Sequence, residues 1–330
     1  MFTRLPKQEY KKLLEQVSFK TFFHGIEWHE FLEKEFKWLK FEYYLYKNEA
    51  ILPIARFKVF GKEKLISLPF CEYGGPLPLK QEISFNKLKD DVLSEFGENI
   101  KIKFHPEILK YFRDLENNQN TESDNFTSWI EVFKNTTEEL LLDSFRKTLR
   151  HEIKNAQKEN LAIKKCENSK ELKEFYNLYV ANLKRKKTIP YPFSVIKFLC
   201  ENRGVEVILA IKNDKVIGGN LFIHYGKFVH YFFSASDLKY RSLGMNYLLL
   251  WTKIKSLIGQ DKILDLGATP KDSSLDVFKR GWGGKEYPII QIGIKKNFEA
   301  LRASKLRNVW GLMPNFVVKK LSSFLIKYRL

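Results

Sequence analysis

The chain has 330 residues, 44% apolar and 15% aromatic, which is long enough and apolar enough for two ordinary domains and excludes global disorder. Its 57 Lys and Arg against 39 Asp and Glu give a net charge of +18; this fits an anionic partner (nucleic acid, a nucleotide-linked substrate, an acidic membrane surface) and equally a surface that uses Lys for general polarity. Cys71, Cys166 and Cys200 lie far apart and the six histidines are scattered, so neither a disulfide framework nor a metal site is expected.

In chain order, the N-terminus MFTRLPKQEYKK lacks the apolar segment of a signal peptide, and no run approaches a membrane span, so a cytoplasmic location is expected. A helix is predicted around Trp28–Lys37. Residues 44–70 then read as three strands, with hairpin turns at Lys47-Asn48 and Gly61-Lys62. A Gly74-Gly75-Pro76 turn, a helix near Ser84–Phe96 and a strand IKIKF follow. The polar stretch from Glu116 to Ser128 reads as a linker. Thr136-Thr137-Glu138-Glu139 is a capping box and predicts one long basic helix to about Lys158. After a short strand (LAIKKC), Asn168-Ser169 opens a helix with Leu172, Phe175, Tyr176 and Tyr179 on one face, and Pro190 and Pro192 introduce another at Phe193–Asn202. Strands at 205–211, 215–224 and 228–235 precede a Leu-rich helix at Gly244–Ile258. The strand KILDLG, a short helix capped by Ser273 with Asp276 three residues on, and a strand near Tyr287–Ile294 complete this half.

Residues 209–235 align with 44–70 at an offset of 165 without a gap, matching Lys47-Asn48 to Lys212-Asn213 and Gly61-Lys62 to Gly226-Lys227. Both copies read as antiparallel meanders, which points to duplication. Strands alternating with helices late in the second copy imply parallel pairing through crossovers, hence a mixed sheet with helices on both faces.

Several segments resemble, in order, the Fem (peptidoglycan-bridge) family and its acetyltransferase (GNAT) fold: LPFCEYGGPL (68–77), LRHEIKNAQKENLAI (149–163), YFFSASD (231–237), LGMNYLLLW (243–251), LDLG (264–267) and FKRGWGG (278–284). The resemblance implies an α/β (α+β) protein of two tandem GNAT-like domains, each a mixed, mostly antiparallel sheet flanked by helices. It implies the short form, without the helical arm some members insert for tRNA, because too few residues separate Cys166 from Val205. The expected division is a degenerate, acceptor-side domain at 1–128, an acyl-donor domain at 129–297, and basic amphipathic helices at 298–330 packed on the first domain.

Arg241-Ser-Leu-Gly244-Met-Asn246 is similar to the pyrophosphate loop R/Q-x-x-G-x-G/A, where a helix N-terminus meets phosphate and Gly permits close approach. Asn246 departs from that pattern and argues against coenzyme A. By resemblance the acyl group lies where the strands 228–235 and 263–267 splay, near Ser234, and Lys279 lies beside the transferred group. Asp237 and Asp265 are candidate bases; a strand-end carboxylate satisfied by backbone is the competing reading of Asp265. Arg146 and Arg150 share a helix face and suit phosphates or a solvated surface. Tyr73 and Trp282 are candidate substrate-binding aromatics, and core packing explains Trp282 as well.

The function implied is transfer of an acyl or aminoacyl group to an amino group of a cell-envelope precursor, a peptidoglycan stem peptide or an amino sugar, nucleotide- or lipid-linked. Aminoacyl-tRNA or acyl-CoA would serve as co-substrate, with no permanently bound cofactor. The alternative is a catalytically inactive scaffold in polysaccharide or membrane assembly. The C-terminal stretch places Val317, Leu321, Phe324, Leu325 and Tyr328 on one helical face, which suits packing on the first domain or peripheral contact with the inner face of an anionic membrane.

Overall fold

The alternating residues read as three strands in the first half do fold as an antiparallel meander: β2 (Lys40–Tyr46), β3 (Ala50–Val59) and β4 (Lys62–Ile66), after β1 (Phe2–Leu5), α1 (Lys7–Gln16) and α2 (Ile26–Glu35). The structure is a computed structural model and describes residues 1–115, 122–293, 310 and 312–330. It divides into two units, one holding residues 1–127 and the strand segment from Tyr287, the other holding 128–286 and the C-terminal helix.

In the first unit β1 pairs antiparallel with β2. α3 (Phe85–Phe96) starts at Ser84, whose hydroxyl accepts from the Lys87 N–H, and leads to β5 (Ile100–Lys103), parallel to β4. The late strand Lys285–Gly293 pairs antiparallel with β5, matching Gln291 to Lys103. The core packs Leu52, Ile54 and Ile102 of the sheet against Leu88 and Val92 of α3. At the Gly-Gly-Pro turn both Gly74 N–H and Gly75 N–H donate to the Lys103 carbonyl, at 2.9 and 2.7 Å. A Cβ at Gly74 would lie 1.8 Å from the Ser67 oxygen, a backbone atom that cannot rotate away. Gly74→Ala is therefore expected to cost about 2–4 kcal/mol, read as a lower urea midpoint. An unchanged midpoint would show that the turn shifts freely.

The second unit begins within β6 (Glu122–Val132), so the polar stretch read as a linker is strand from Glu122 onward; Glu116 to Thr121 lie outside the described residues. Thr137 caps α4 (Glu138–Ser144), its hydroxyl accepting from Leu140 N–H. The single long helix expected here is broken: the chain turns extended at Phe145–Arg146 and restarts as α5 (Lys147–Lys158). Burial of the Phe145 side chain against Trp251 and Trp282 explains the break, since a straight helix would carry that ring elsewhere.

β7 (Ala162–Lys165), α6 (Ser169–Arg185) and α7 (Phe193–Glu201) precede the second meander, β8 (Val205–Lys212), β9 (Lys215–Tyr225) and β10 (Phe228–Ser236). The Asn168 side chain caps α6, and the predicted face of Leu172, Phe175, Tyr176 and Tyr179 is buried. Then follow α8 (Met245–Ser256), β11 (Lys262–Asp265), α9 (Ser274–Arg280) and β12 (Lys285–Gly293). β7 to β10 pair antiparallel in sequence order, β10 pairs parallel with β11, and β11 pairs antiparallel with β6. α5 and α8 cover one sheet face through Ile153, Leu249 and Ile254, while α6 covers the other, with Phe175 stacked on Phe233. Each half thus has the mixed, mostly antiparallel sheet with flanking helices that the sequence implied.

The repeat holds in plan but not in register. Left-handed residues mark the first hairpins at Lys47 and Asn48, and at Asn213 and Asp214. The next loops are residues 60–61 and 226–227, between the partners Val59 and Lys62 and the partners Tyr225 and Phe228. First loop residues 47 and 213, and 60 and 226, stand 166 apart, so the identities found at 165 are one position out of structural step. A one-residue slip in a strand exchanges its two faces.

The C-terminal helix α10 (Asn315–Leu325) does not lie where it was expected: it belongs to the second unit. Lys319 Nζ hydrogen bonds to Asn177 of α6, Trp310 Nε1 donates to the Thr188 carbonyl, and Arg329 to that of Ile189. The buried ridge of the helix and the turn that ends it is Val318, Ser322 and Ile326, not the predicted face: at fourfold spacing these three share one side, where small Ser322 admits the neighbouring helix while Phe324 stays outside. Among the described residues no helix is long and apolar enough to cross a membrane.

Candidate active site

β10 and β11 are paired only from Phe228 to His230 and from Ile263 to Asp265. Beyond that point they part. β10 continues along β9 to Ser236, with Phe232 bulged out between the partners Tyr231 and Phe233. β11 ends, and Leu266 N–H donates to Ser128 O of β6 at 2.9 Å. The wedge between two splayed parallel strands therefore opens past His230, and Ser234 stands exposed along its β10 edge, opposite Asn220 of β9.

At the apex His230 Nδ1 and Asp265 Oδ2 are 3.1 Å apart, both side chains buried, and Asp265 Oδ1 accepts from Gly267 N–H at 2.9 Å. Asp265 is thus engaged by the imidazole and its own backbone, which is the competing reading rather than an exposed base. Nothing in the sequence pointed to His230 as its partner; they meet because strands distant in sequence pair side by side. Among the described residues no group of three or more His, Cys, Asp and Glu could hold a metal ion.

Lys279 reaches the same loop from α9, whose start is fixed by Ser273 accepting from Asp276 N–H at 3.1 Å. The Lys279 ammonium donates to the carbonyls of Gly267 at 2.8 Å and Ala268 at 3.4 Å and is only 4% exposed. Its neighbour Arg280 is paired with Asp276 and Glu286 instead. The buried cation therefore lies just past the end of β11.

Gly244, at φ 64° and ψ 19°, sits in the left-handed region immediately before α8, and a Cβ there would stand 3.0 Å from that of Ala156. Both the conformation and the close approach to α5 require glycine. Arg241 is exposed one turn earlier. The Asn246 Oδ1, next in this turn, is buried without a hydrogen-bond partner among the described residues. Tyr247, which sequence reasoning missed, joins the parts. Its ring lies 5.7 Å from that of Phe278 on α9. Burial and then Glu152 push its phenol above the ordinary value, with Arg146 and Arg241 opposing. Arg146 is further tied to the site by its N–H, which donates to Gly281 O at 2.9 Å.

The other predicted residues have partners of their own. Arg150 is paired with Asp143 at 3.1 Å. Trp282 is fully buried, 5.2 Å from the ring of Phe145, so it is a core residue rather than a substrate contact. Tyr73 is buried in the first unit against His105, ring centroids 4.7 Å apart.

Residues 143–280, which hold the parting strands β10 and β11 and, between them, the helix α8 opened by a left-handed glycine, match the family model described as the acetyltransferase (GNAT) domain. That segment is GNAT-like, and the fold around it resembles that of FemX. The crystal structure of FemX is similar over 91% of this chain and 99% of that one, with a TM-score of 0.60 at 14% identity. L-PGS from Bacillus licheniformis is similar over 94% and 98%, with a TM-score of 0.53 at 10% identity. A conserved protein of unknown function from Bacteroides thetaiotaomicron covers 88% and 97%, with a TM-score of 0.53 at 8% identity. No curated protein matches this sequence.

Proposed function

We propose that this acyltransferase moves an acyl or aminoacyl group from a phosphate-bearing donor, aminoacyl-tRNA or acyl-CoA, to an amino group of a cell-envelope precursor, a peptidoglycan stem peptide or an amino sugar. The observation that carries the proposal is the α8 N-terminus, where the exposed Arg241 and the left-handed turn at Gly244 offer charge and backbone dipole to a phosphate beside the open wedge of β10 and β11. Direct attack by the acceptor amine needs no enzyme nucleophile; it needs the two substrates held in contact and the developing oxyanion stabilised. Main-chain groups of β10 near Ser234 and the Lys279 ammonium take that second role. Asp237, half-buried at the end of β10, is the carboxylate nearest in sequence to the open end and serves as proton acceptor. The likeness to FemX and to L-PGS supports an envelope acceptor, and the buried Asn246 oxygen favours the tRNA donor over coenzyme A.

The test is transfer of label from acetyl-CoA or from a mixed aminoacyl-tRNA pool to a muramyl pentapeptide nucleotide or to glucosamine, read by mass spectrometry. Product is expected with one donor, and Gly244→Val, strained at φ 64° and driven against Ala156 of α5, is expected to lower kcat/KM by about 100-fold or more by displacing the α8 N-terminus. If the folded wild-type protein transfers from neither donor, the inactive-scaffold reading replaces this one.

A further inference from the structure

α10 turns an unusual row of side chains to solvent. Phe316 is 66% exposed and Phe324 61%, with exposed Lys320 midway between them on the same face, and Leu312, ahead of Pro314 and the helix start, is 86% exposed. Large apolar side chains exposed singly are ordinary; two aligned along one helix, with a third just ahead of it, call for an occupant. The flank of the same helix walls a groove of about 510 Å³, lined by Lys173 and Tyr176 of α6, Ser194 of α7, and Lys319 and Ser323 of α10. Among the described residues lining it there are two ammonium groups and no carboxylate. Residues 312–330 contain four Lys and Arg and neither Asp nor Glu. The exposed basic residues Arg185 and Lys186 end α6 just before Thr188, whose carbonyl holds Trp310.

We propose that α10 and the groove beside it dock the protein on an anionic phospholipid bilayer, with Leu312, Phe316 and Phe324 entering the boundary between headgroups and acyl chains. Lys320 and Lys327 reach the lipid phosphates from the same helix, and the groove receives one headgroup phosphate between Lys173 and Lys319. The chemistry separates this occupant from a second protein copy. Lys is depleted from the centre of protein interfaces, where its charge must be desolvated. At a bilayer surface its long stem lies along the apolar zone while the ammonium remains among phosphates. A single-file row of Phe, Lys and Phe suits the second environment. The inference stands apart from the acyl-transfer reading, because lipid binding is measured with no donor present.

The experiment is co-sedimentation of the full chain with phosphatidylcholine vesicles, with and without phosphatidylglycerol. Binding is expected only with phosphatidylglycerol and should weaken as salt rises. The double variant Phe316→Ser/Phe324→Ser and the double variant Lys320→Glu/Lys327→Glu should each lower partitioning by about tenfold or more, with unchanged circular dichroism, since the Phe rings are exposed and Lys320 and Lys327 lie outside the buried ridge. Wild-type protein remaining in the supernatant with phosphatidylglycerol vesicles overturns the proposal. So does wild-type binding by the folded Phe variant. A concentration-dependent dimer that the Phe variant abolishes, without vesicle binding, would assign the row to a second copy instead.

Discussion

Lys279→Met is expected to lower turnover by about two to three orders of magnitude while changing acceptor affinity little. The residue is 4% exposed, so its charge acts in a medium that screens poorly, next to the loop where β10 and β11 have parted. It is also held: the Gly267 and Ala268 carbonyls accept two of its protons and aim the ammonium. A preoriented charge needs no rearrangement when the oxyanion forms. The methionine fills a similar volume, so the loss should be chemical rather than one of packing, with at most about 1–3 kcal/mol of stability from carbonyls left unpaired. Lys279→Arg should not rescue, because a planar guanidinium cannot occupy a pocket shaped for a compact ammonium. Kinetics of both variants beside their melting temperatures decide the matter; near wild-type turnover in either folded variant removes Lys279 from the chemistry.

The second large effect concerns stability. Glu206 of β8 accepts from Lys253 of α8 and lies 2.8 Å from His224 of β9, and Lys253 is 3% exposed. Glu206→Leu would leave a buried ammonium without its carboxylate, and is expected to cost about 3–5 kcal/mol, read by urea unfolding at pH 7. Burial works to raise the Glu206 carboxyl, but the hydrogen bonds from His224 and Lys253 outweigh it and bring it to about 2. The folded value is thus below the unfolded one, so this contribution is fully present above about pH 5 and is lost as pH falls toward 2. The gap between wild type and Glu206→Leu should accordingly narrow on acidification. A gap that is constant from pH 7 to pH 3 would show that the carboxylate charge is not what holds the cluster.

Much of this was legible in the sequence because the signals are local. The Asn168 and Ser273 caps, the buried face of α6 and the second meander follow from residues within a few positions of each other. What escaped depends on distant partners. The break at Phe145 needs Trp251 and Trp282, far along the chain, to reward burial of the ring. His230 and Asp265 meet only through strand pairing, and Tyr247 matters only because α9 brings Phe278 against its ring. The face of α10 was misread because periodicity ranks residues by apolarity, whereas a close helix contact selected small Ser322 and left Phe324 outside.

The pairing of Lys285–Gly293 with β5 sets a timetable for synthesis. The first unit's helices and meander leave the ribosome early, yet the neighbour of Ile102 in its sheet is Ile292, so that edge stays uncovered until nearly the whole chain has been made. An N-terminal fragment ending at Thr127 would carry the same uncovered edge permanently and would be prone to pair with other nascent chains. The sheet of the first unit is thereby completed only by a strand that follows nearly all of the second unit in the chain.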